Sequence, residues 1–149
     1  MRFLGAVLVA ALMLTSCGSS QNANNVLSKK EQKQEWNLLF NGKDFTGWRQ
    51  YNGNSVPDNW SIDDGAMKVS TAANAQKGHG VGSDMIYFPK KFKNFELSID
   101  WTTEKAGNSG IFYYVREAKG RAIFDAAPEV QVLDNEYASD NQIDSHLAG

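Results

Sequence analysis

The chain has 149 residues, with 15 Lys and Arg against 17 Asp and Glu, for a formal net charge of −2. So mild an acidity argues against a nucleic-acid partner, which would need a basic surface. The single cysteine excludes an internal disulfide framework.

Met1 and Arg2 precede an apolar run over 3–14, too short to span a bilayer but suited to the apolar region of an export signal. The run ends in Leu14-Thr15-Ser16-Cys17. Small residues before a cysteine suit a signal peptidase, and the Cys17 thiol can accept a diacylglycerol. The expectation is a lipoprotein signal over 1–16, a lipid on Cys17 and a place in the cell envelope, on the periplasmic or outer-membrane surface. Acyl chains contribute about 0.8 kcal/mol per buried CH₂, so they anchor the protein to the membrane without a transmembrane helix. Loss of Arg2 would shift the charge from −2 to −3. Residues 17–27 are polar and aperiodic and predict a flexible tether.

The domain is expected over 28–149, a length suited to one domain. Ser28 and Glu31 fit a capping box, so a short helix should run to Gln34. From Trp36 onward, glycines separate short apolar stretches, an all-β rhythm. Residues 60–69 predict a hairpin, with Asp64-Gly65 as a type I′ turn. Residues 72–82 are small and Gly-rich and predict a mobile loop. The clearest strand is 92–101, where Phe95, Leu97, Ile99 and Trp101 alternate with Asn94, Glu96, Ser98 and Asp100. Two more strands are expected over 109–116 and 129–133. The pattern predicts an all-β jelly-roll sandwich of seven or eight strands. The sequence stops after Ser145-His146-Leu147-Ala148-Gly149 without a closing strand, so the expectation is the N-terminal portion of a larger domain.

No phosphate loop, dinucleotide turn, nucleophile elbow or Cys/His cluster occurs. His79 and His146 are too few for a three-His zinc site. The informative segment is 129–137. Glu129 and Gln131 should share one strand face, about 6.5–7 Å apart, with Val130 and Val132 on the other and Asp134 at the strand end. A carboxylate and a carboxamide on one face can grip sugar hydroxyls, although a solvated outer face has the same composition. On 109–116, Ile111, Tyr113 and Val115 should share one face and Phe112, Tyr114 and Arg116 the other. Aromatic rings stack on sugars, and Arg116 offers a fork of donors to hydroxyls or a carboxylate; the tyrosines fit a core equally well. Asn108 lies in the tight Gly107-Asn108-Ser109-Gly110 turn. His146, in a polar segment, has the chemistry of a general base near neutral pH or of an ordinary surface histidine.

Four segments resemble, in order, the motifs of the 3-keto-disaccharide hydrolase family. They are Leu38-Leu39-Phe40-Asn41-Gly42-Lys43-Asp44-Phe45-Thr46-Gly47-Trp48, Phe95-Glu96-Leu97-Ser98-Ile99-Asp100-Trp101, Gly107-Asn108-Ser109-Gly110-Ile111-Phe112-Tyr113 and Glu129-Val130-Gln131-Val132-Leu133-Asp134-Asn135. The resemblance covers about 36–149. It implies a concanavalin-like jelly roll on an exported lipoprotein, a glycoside or oligosaccharide substrate, and cleavage of sugars already oxidised at C3. It also implies a further segment beyond His146 that this sequence lacks. On this reading His146 is the first choice of base. Glu129 and Asp134 are candidates for acid, sugar grip or ligand to a divalent metal ion. Gln131, Tyr113, Arg116 and Asn108 are the expected substrate contacts. An ordinary two-carboxylate glycosidase mechanism, a non-catalytic carbohydrate-binding lipoprotein and a structural surface lipoprotein are the alternatives.

Overall fold

A computed structural model describes residues 24–70 and 84–136. The expected signal, Cys17, the loop over 72–82 and His146 lie outside the described residues. The described part is all-β apart from one short helix and a 3-10 turn at Ile123–Asp125. No described helix is long and apolar enough to cross a membrane.

Helix α1 is Lys29–Lys33, capped at both ends by local chemistry. The Ser28 backbone N–H donates to Glu31 Oε2 at 2.6 Å, and the Glu31 N–H donates to Ser28 Oγ at 3.2 Å, the reciprocal bonds of a capping box. At the other end Glu35 takes a left-handed φ of 60°. Its N–H donates to Gln32 O and that of Trp36 to Glu31 O, a Schellman termination. Glycine usually holds that position, because a side chain costs roughly 1–2 kcal/mol there.

Three antiparallel ladders follow. Strand β1, Trp48–Gln50, pairs with β4, Met85–Tyr87; β2, Trp60–Asp63, pairs with β3, Ala66–Val69; β5, Asn108–Phe112, pairs with β6, Glu129–Leu133. The β2–β3 hairpin is the predicted one, with Asp64 and Gly65 at φ 46° and 74°, both positive as a type I′ turn requires. The carbonyl of Gly65 accepts the Asn25 side-chain N–H at 2.8 Å, so the N-terminal segment is already docked on this hairpin at Asn25.

Two expected strands differ. Residues 92–101 join no ladder among the described residues, although their alternation is the most regular in the chain. Phe95, Leu97, Ile99 and Trp101 remain 43–53% exposed. A strand is defined by the backbone of a partner as much as by its own side-chain pattern, and no described strand pairs with this one. Strand β5 also stops at Phe112 instead of continuing to Arg116. The Tyr113 N–H still donates to Pro128 O at 3.2 Å, but Pro128 has no N–H to return. Tyr114 then turns to φ 54°, which ends the alternation that would have placed Tyr114 and Arg116 beside Phe112. Six strands are therefore present among the described residues.

The buried apolar side chains among the described residues are Tyr51, Ile123, Val132 and Leu133. Full burial of a large aliphatic side chain contributes about 1.5–3 kcal/mol, so β6 supplies much of this core through Val132 and Leu133. A succession of ring contacts leads from Trp48 through Tyr87, Phe92, Phe95 and Tyr114 to Tyr113, with neighbouring centroids 5.5–6.3 Å apart. It ties the β1–β4 ladder to the end of β5.

Candidate functional site on the β5–β6 ladder

The register of β5 and β6 decides which side chains meet. Asn108 pairs with Leu133, Gly110 with Gln131 and Phe112 with Glu129, and directly paired residues project to the same face. Glu129, Gln131 and Asn108 therefore share a face, as the period-two reading anticipates. Val130 and Val132 lie opposite, with Ile111 and Ser109.

Gly110 makes this face possible. A Cβ at 110 would stand 2.6 Å from Glu129 Cγ and closer still to the carboxyl group. The bare glycine is thus the seat of the Glu129 side chain. Beside it, the Gln131 side-chain oxygen is out of water and has no hydrogen-bond partner among the described residues. Buried polar groups are nearly always paired, and an unmade hydrogen bond of this kind costs roughly 1–3 kcal/mol. The carboxylate of the exposed Glu129 and the covered, unsatisfied Gln131 oxygen are both acceptors, suited to hydroxyl donors.

The other expected residues have different surroundings. Asp134 accepts from the Ala106 N–H at 2.8 Å and the Glu136 N–H at 3.0 Å, while its own N–H donates to Gly107 O. Its carboxylate braces the turn that leads into β5. Tyr113 is half-buried, and the alternation through Phe112 puts it on the Ile111 face, opposite Glu129. Arg116 lies beyond the Tyr114 turn and is exposed, so the strand does not carry it onto the Glu129 face. Its carbonyl accepts from Tyr51 Oη at 3.2 Å. Among the described residues no three His, Cys, Asp or Glu side chains converge as metal ligands.

A polar clamp holds the segment after β5. Arg49 donates to both carboxylate oxygens of Glu117, at 2.6 and 2.7 Å, and the Asn52 N–H donates to the same carboxylate at 2.8 Å. The Asn52 side chain donates to Ala118 O, and the Ala118 N–H donates to Tyr51 Oη. The Arg49 hydrogen bond pulls the Glu117 carboxyl below its ordinary pKa, and Glu117 in turn raises that of Arg49. Sequence reasoning missed this clamp because its partners lie 65–68 positions apart and neither end has a distinctive motif. Burial pushes the Asp84 carboxyl up.

A family model and a curated relative point to one family, and a solved structure shares the fold. A family model described as the 3-keto-alpha-glucoside-1,2-lyase-like domain matches residues 35–149. A curated relative from Bacteroides thetaiotaomicron, named 3-keto-disaccharide hydrolase, is 42% identical over 118 residues, which cover 73% of this chain and 39% of the relative. A crystal structure from Parabacteroides distasonis, described as a candidate glycosyl hydrolase, superposes with a TM-score of 0.56 at 31% identity over 76% of this chain and 48% of that one. The chain thus spans less than half the length of either protein.

Proposed function

The chain belongs to the 3-keto-alpha-glucoside-1,2-lyase-like family, and from that premise we propose that the protein it represents cleaves 3-keto-glycosides by proton abstraction at C2 and elimination at C1. Membership in the family supports glycoside cleavage, and the superposed structure supports the sandwich that carries it. The observation that carries the site is the pairing of Glu129, seated over Gly110, with the unsatisfied Gln131 oxygen.

The chemistry follows from the ketone. A carbonyl at C3 acidifies the C2 hydrogen. A base takes that proton, and the electron pair of the C2–H bond becomes an enolate on the C3 oxygen. When the carbonyl re-forms, the pair moves into a C1–C2 double bond and the C1–O bond breaks, with the leaving oxygen taking a proton. Water adding to the resulting enone gives net hydrolysis, and without it the enzyme is a lyase. His146 is the proposed base, Glu129 the proton donor or hydroxyl grip, and Gln131 and Asn108 the neighbouring sugar contacts. Asp134 holds the turn before β5 and is the second acid candidate, whereas Tyr113 and Arg116 would have to reach the sugar from outside the Glu129 face. A lipid on Cys17 would keep the protein at the cell envelope. Detergent partitioning tests that anchor, with Cys17→Ala expected to leave the lipid phase.

Loss of a placed general base typically costs about 10²–10⁴ in rate, so His146→Ala should lower turnover of a 3-keto-glucoside by that order and affect binding less. Unmodified glucosides should be inert, because their C2 hydrogen is not acidic. Deuterium at C2 is the decisive label. Exchange with solvent or a slowed reaction is expected, and full retention with no isotope effect would replace elimination by direct displacement at C1. Sugar binding without turnover would reduce the protein to a carbohydrate-binding lipoprotein.

A further inference from the structure

A polar groove that shares no lining residue with the β5–β6 ladder runs between α1 and the extended segment that contains Glu96 and Ser98. It is an open groove of about 440 Å³, lined by Trp36, Gln34, Lys30, Glu96 and Ser98 and by the Ser28–Glu31 capping pair. Its volume lies within the range of about 300–1,000 Å³ typical of small-ligand sites. We propose that this groove is a second, non-catalytic binding site for a short neutral glycan.

The argument begins with Trp36. The strained Glu35 turn and the Trp36 N–H bond to Glu31 O hold its backbone against the end of α1. The ring is half-buried, and no hydrogen bond of its indole nitrogen is made among the described residues. Trp48 provides the contrast, since its indole N–H is committed to Leu39 O at 2.8 Å. A buried indole usually finds an acceptor, and a half-exposed one with its N–H uncommitted presents an apolar face and a donor together. A sugar ring has the complementary pair, C–H groups on its face and hydroxyls on its edge.

The rest of the wall suits hydroxyls better than charge. Ser28 and Glu31 satisfy each other through the capping box. Beyond them the groove offers the Gln34 carboxamide, the Glu96 carboxylate, the Ser98 hydroxyl and the Lys30 ammonium. Donor and acceptor residues of both signs thus line the same groove as one tryptophan. A strongly anionic ligand would meet two carboxylates, Glu96 and Glu31, against the one ammonium of Lys30. A neutral polyhydroxylated ligand of two or three rings can donate to the carboxylates and accept from the ammonium without a charge of its own to desolvate.

The test titrates the full chain with cellotriose, maltotriose and a short polyethylene glycol while following the indole N–H signals of its four tryptophans. Saturable movement of the Trp36 signal with at least one trisaccharide, and none with the glycol, is expected. Removing the ring removes the apolar face of the groove, so Trp36→Ala should weaken binding by about tenfold and Trp36→Phe should restore most of it. Glu96→Gln, on an exposed residue, should weaken binding without unfolding the chain. Glu129→Gln should leave the Trp36 titration unchanged, and this arm separates the groove from the proposed catalytic face. No saturable shift with either trisaccharide, equal shifts with the glycol, or loss of the Trp36 titration in Glu129→Gln would each overturn the proposal. Absence of 3-keto-glycoside cleavage would not, because the groove reading does not depend on it.

Discussion

Gly110→Ala separates a glycine that serves the fold from one that serves the site. The backbone at 110 does not use the left-handed region that would exclude a side chain. Alanine should even gain about 0.4–1 kcal/mol by restricting the unfolded chain. The obstacle is the Glu129 side chain, whose Cγ would lie 2.6 Å from the new Cβ. Glu129 is exposed, so it can swing toward solvent at the cost of a rotamer change, roughly 0.5–1.5 kcal/mol if it is left off its minimum, and of the interaction it makes in place. These costs largely offset the gain from alanine, and the urea-derived stability should stay within about 1 kcal/mol of the parent. Function should not be spared. A hydrogen bond to a charged group contributes about 1.5–3 kcal/mol, so displacing the carboxylate should lower sugar binding or turnover by about ten- to a hundredfold. Calorimetric titration with a 3-keto-glucoside, beside a urea melt, measures both. Parent-like binding with parent-like stability would show that Glu129 does not act from its seat over Gly110. A loss of several kcal/mol in stability would show that the seat serves the fold.

Glu35→Gly should raise stability by about 0.5–1 kcal/mol, since it relieves a left-handed side chain and loses part of that gain to the freer unfolded chain; thermal melts would show it, and an unchanged midpoint would remove the claim of strain. Asp134→Ala should destabilise by about 1–2 kcal/mol through loss of the acceptors for the Ala106 and Glu136 N–H groups. Asp134→Asn keeps an acceptor, so recovered stability with turnover still absent would assign Asp134 an acid role as well as a bracing one. The Arg49–Glu117 contribution should be present above the ordinary carboxylate value of 4.5 and fade as pH falls through the lowered Glu117 pKa, because only protonation breaks the pair. The stability gap between parent and Glu117→Gln should therefore close in acid, and a gap that persists at low pH would assign the effect to packing.

What was legible in the sequence was local. Ser28 and Glu31 stand three positions apart, and Asp64-Gly65 are adjacent, so the capping box and the hairpin follow from chemistry within one turn. Strand β6 could be placed because its alternation and its end at Asp134 are contained in the segment itself. The face shared by Glu129 and Gln131 was legible for the same reason. Failure came where a partner decides. The strongest alternating pattern, 92–101, lacks a described backbone to pair with, and β5 ends because its partner residue is a proline with no N–H to give. Neither fact is visible from the strand concerned.

The same distinction explains why the candidate site was only partly anticipated. Composition singled out Arg116 and Tyr113 as sugar-binding types, but side-chain type does not determine face. The left-handed Tyr114 lies between Tyr113 and Arg116, so a strand alternation cannot be extended across it. Gly110 carries the opposite lesson. The sequence places it in a tight turn with Asn108, whereas both residues lie within β5, and the missing side chain at 110 leaves room across the ladder for Glu129. An acid can be recognised by its type, but the room it occupies is set by a diagonal neighbour across the ladder, since Gly110 pairs with Gln131 and yet leaves the space that Glu129 fills. Gly110 is therefore the position at which the seat of Glu129 can be altered without changing the acid itself.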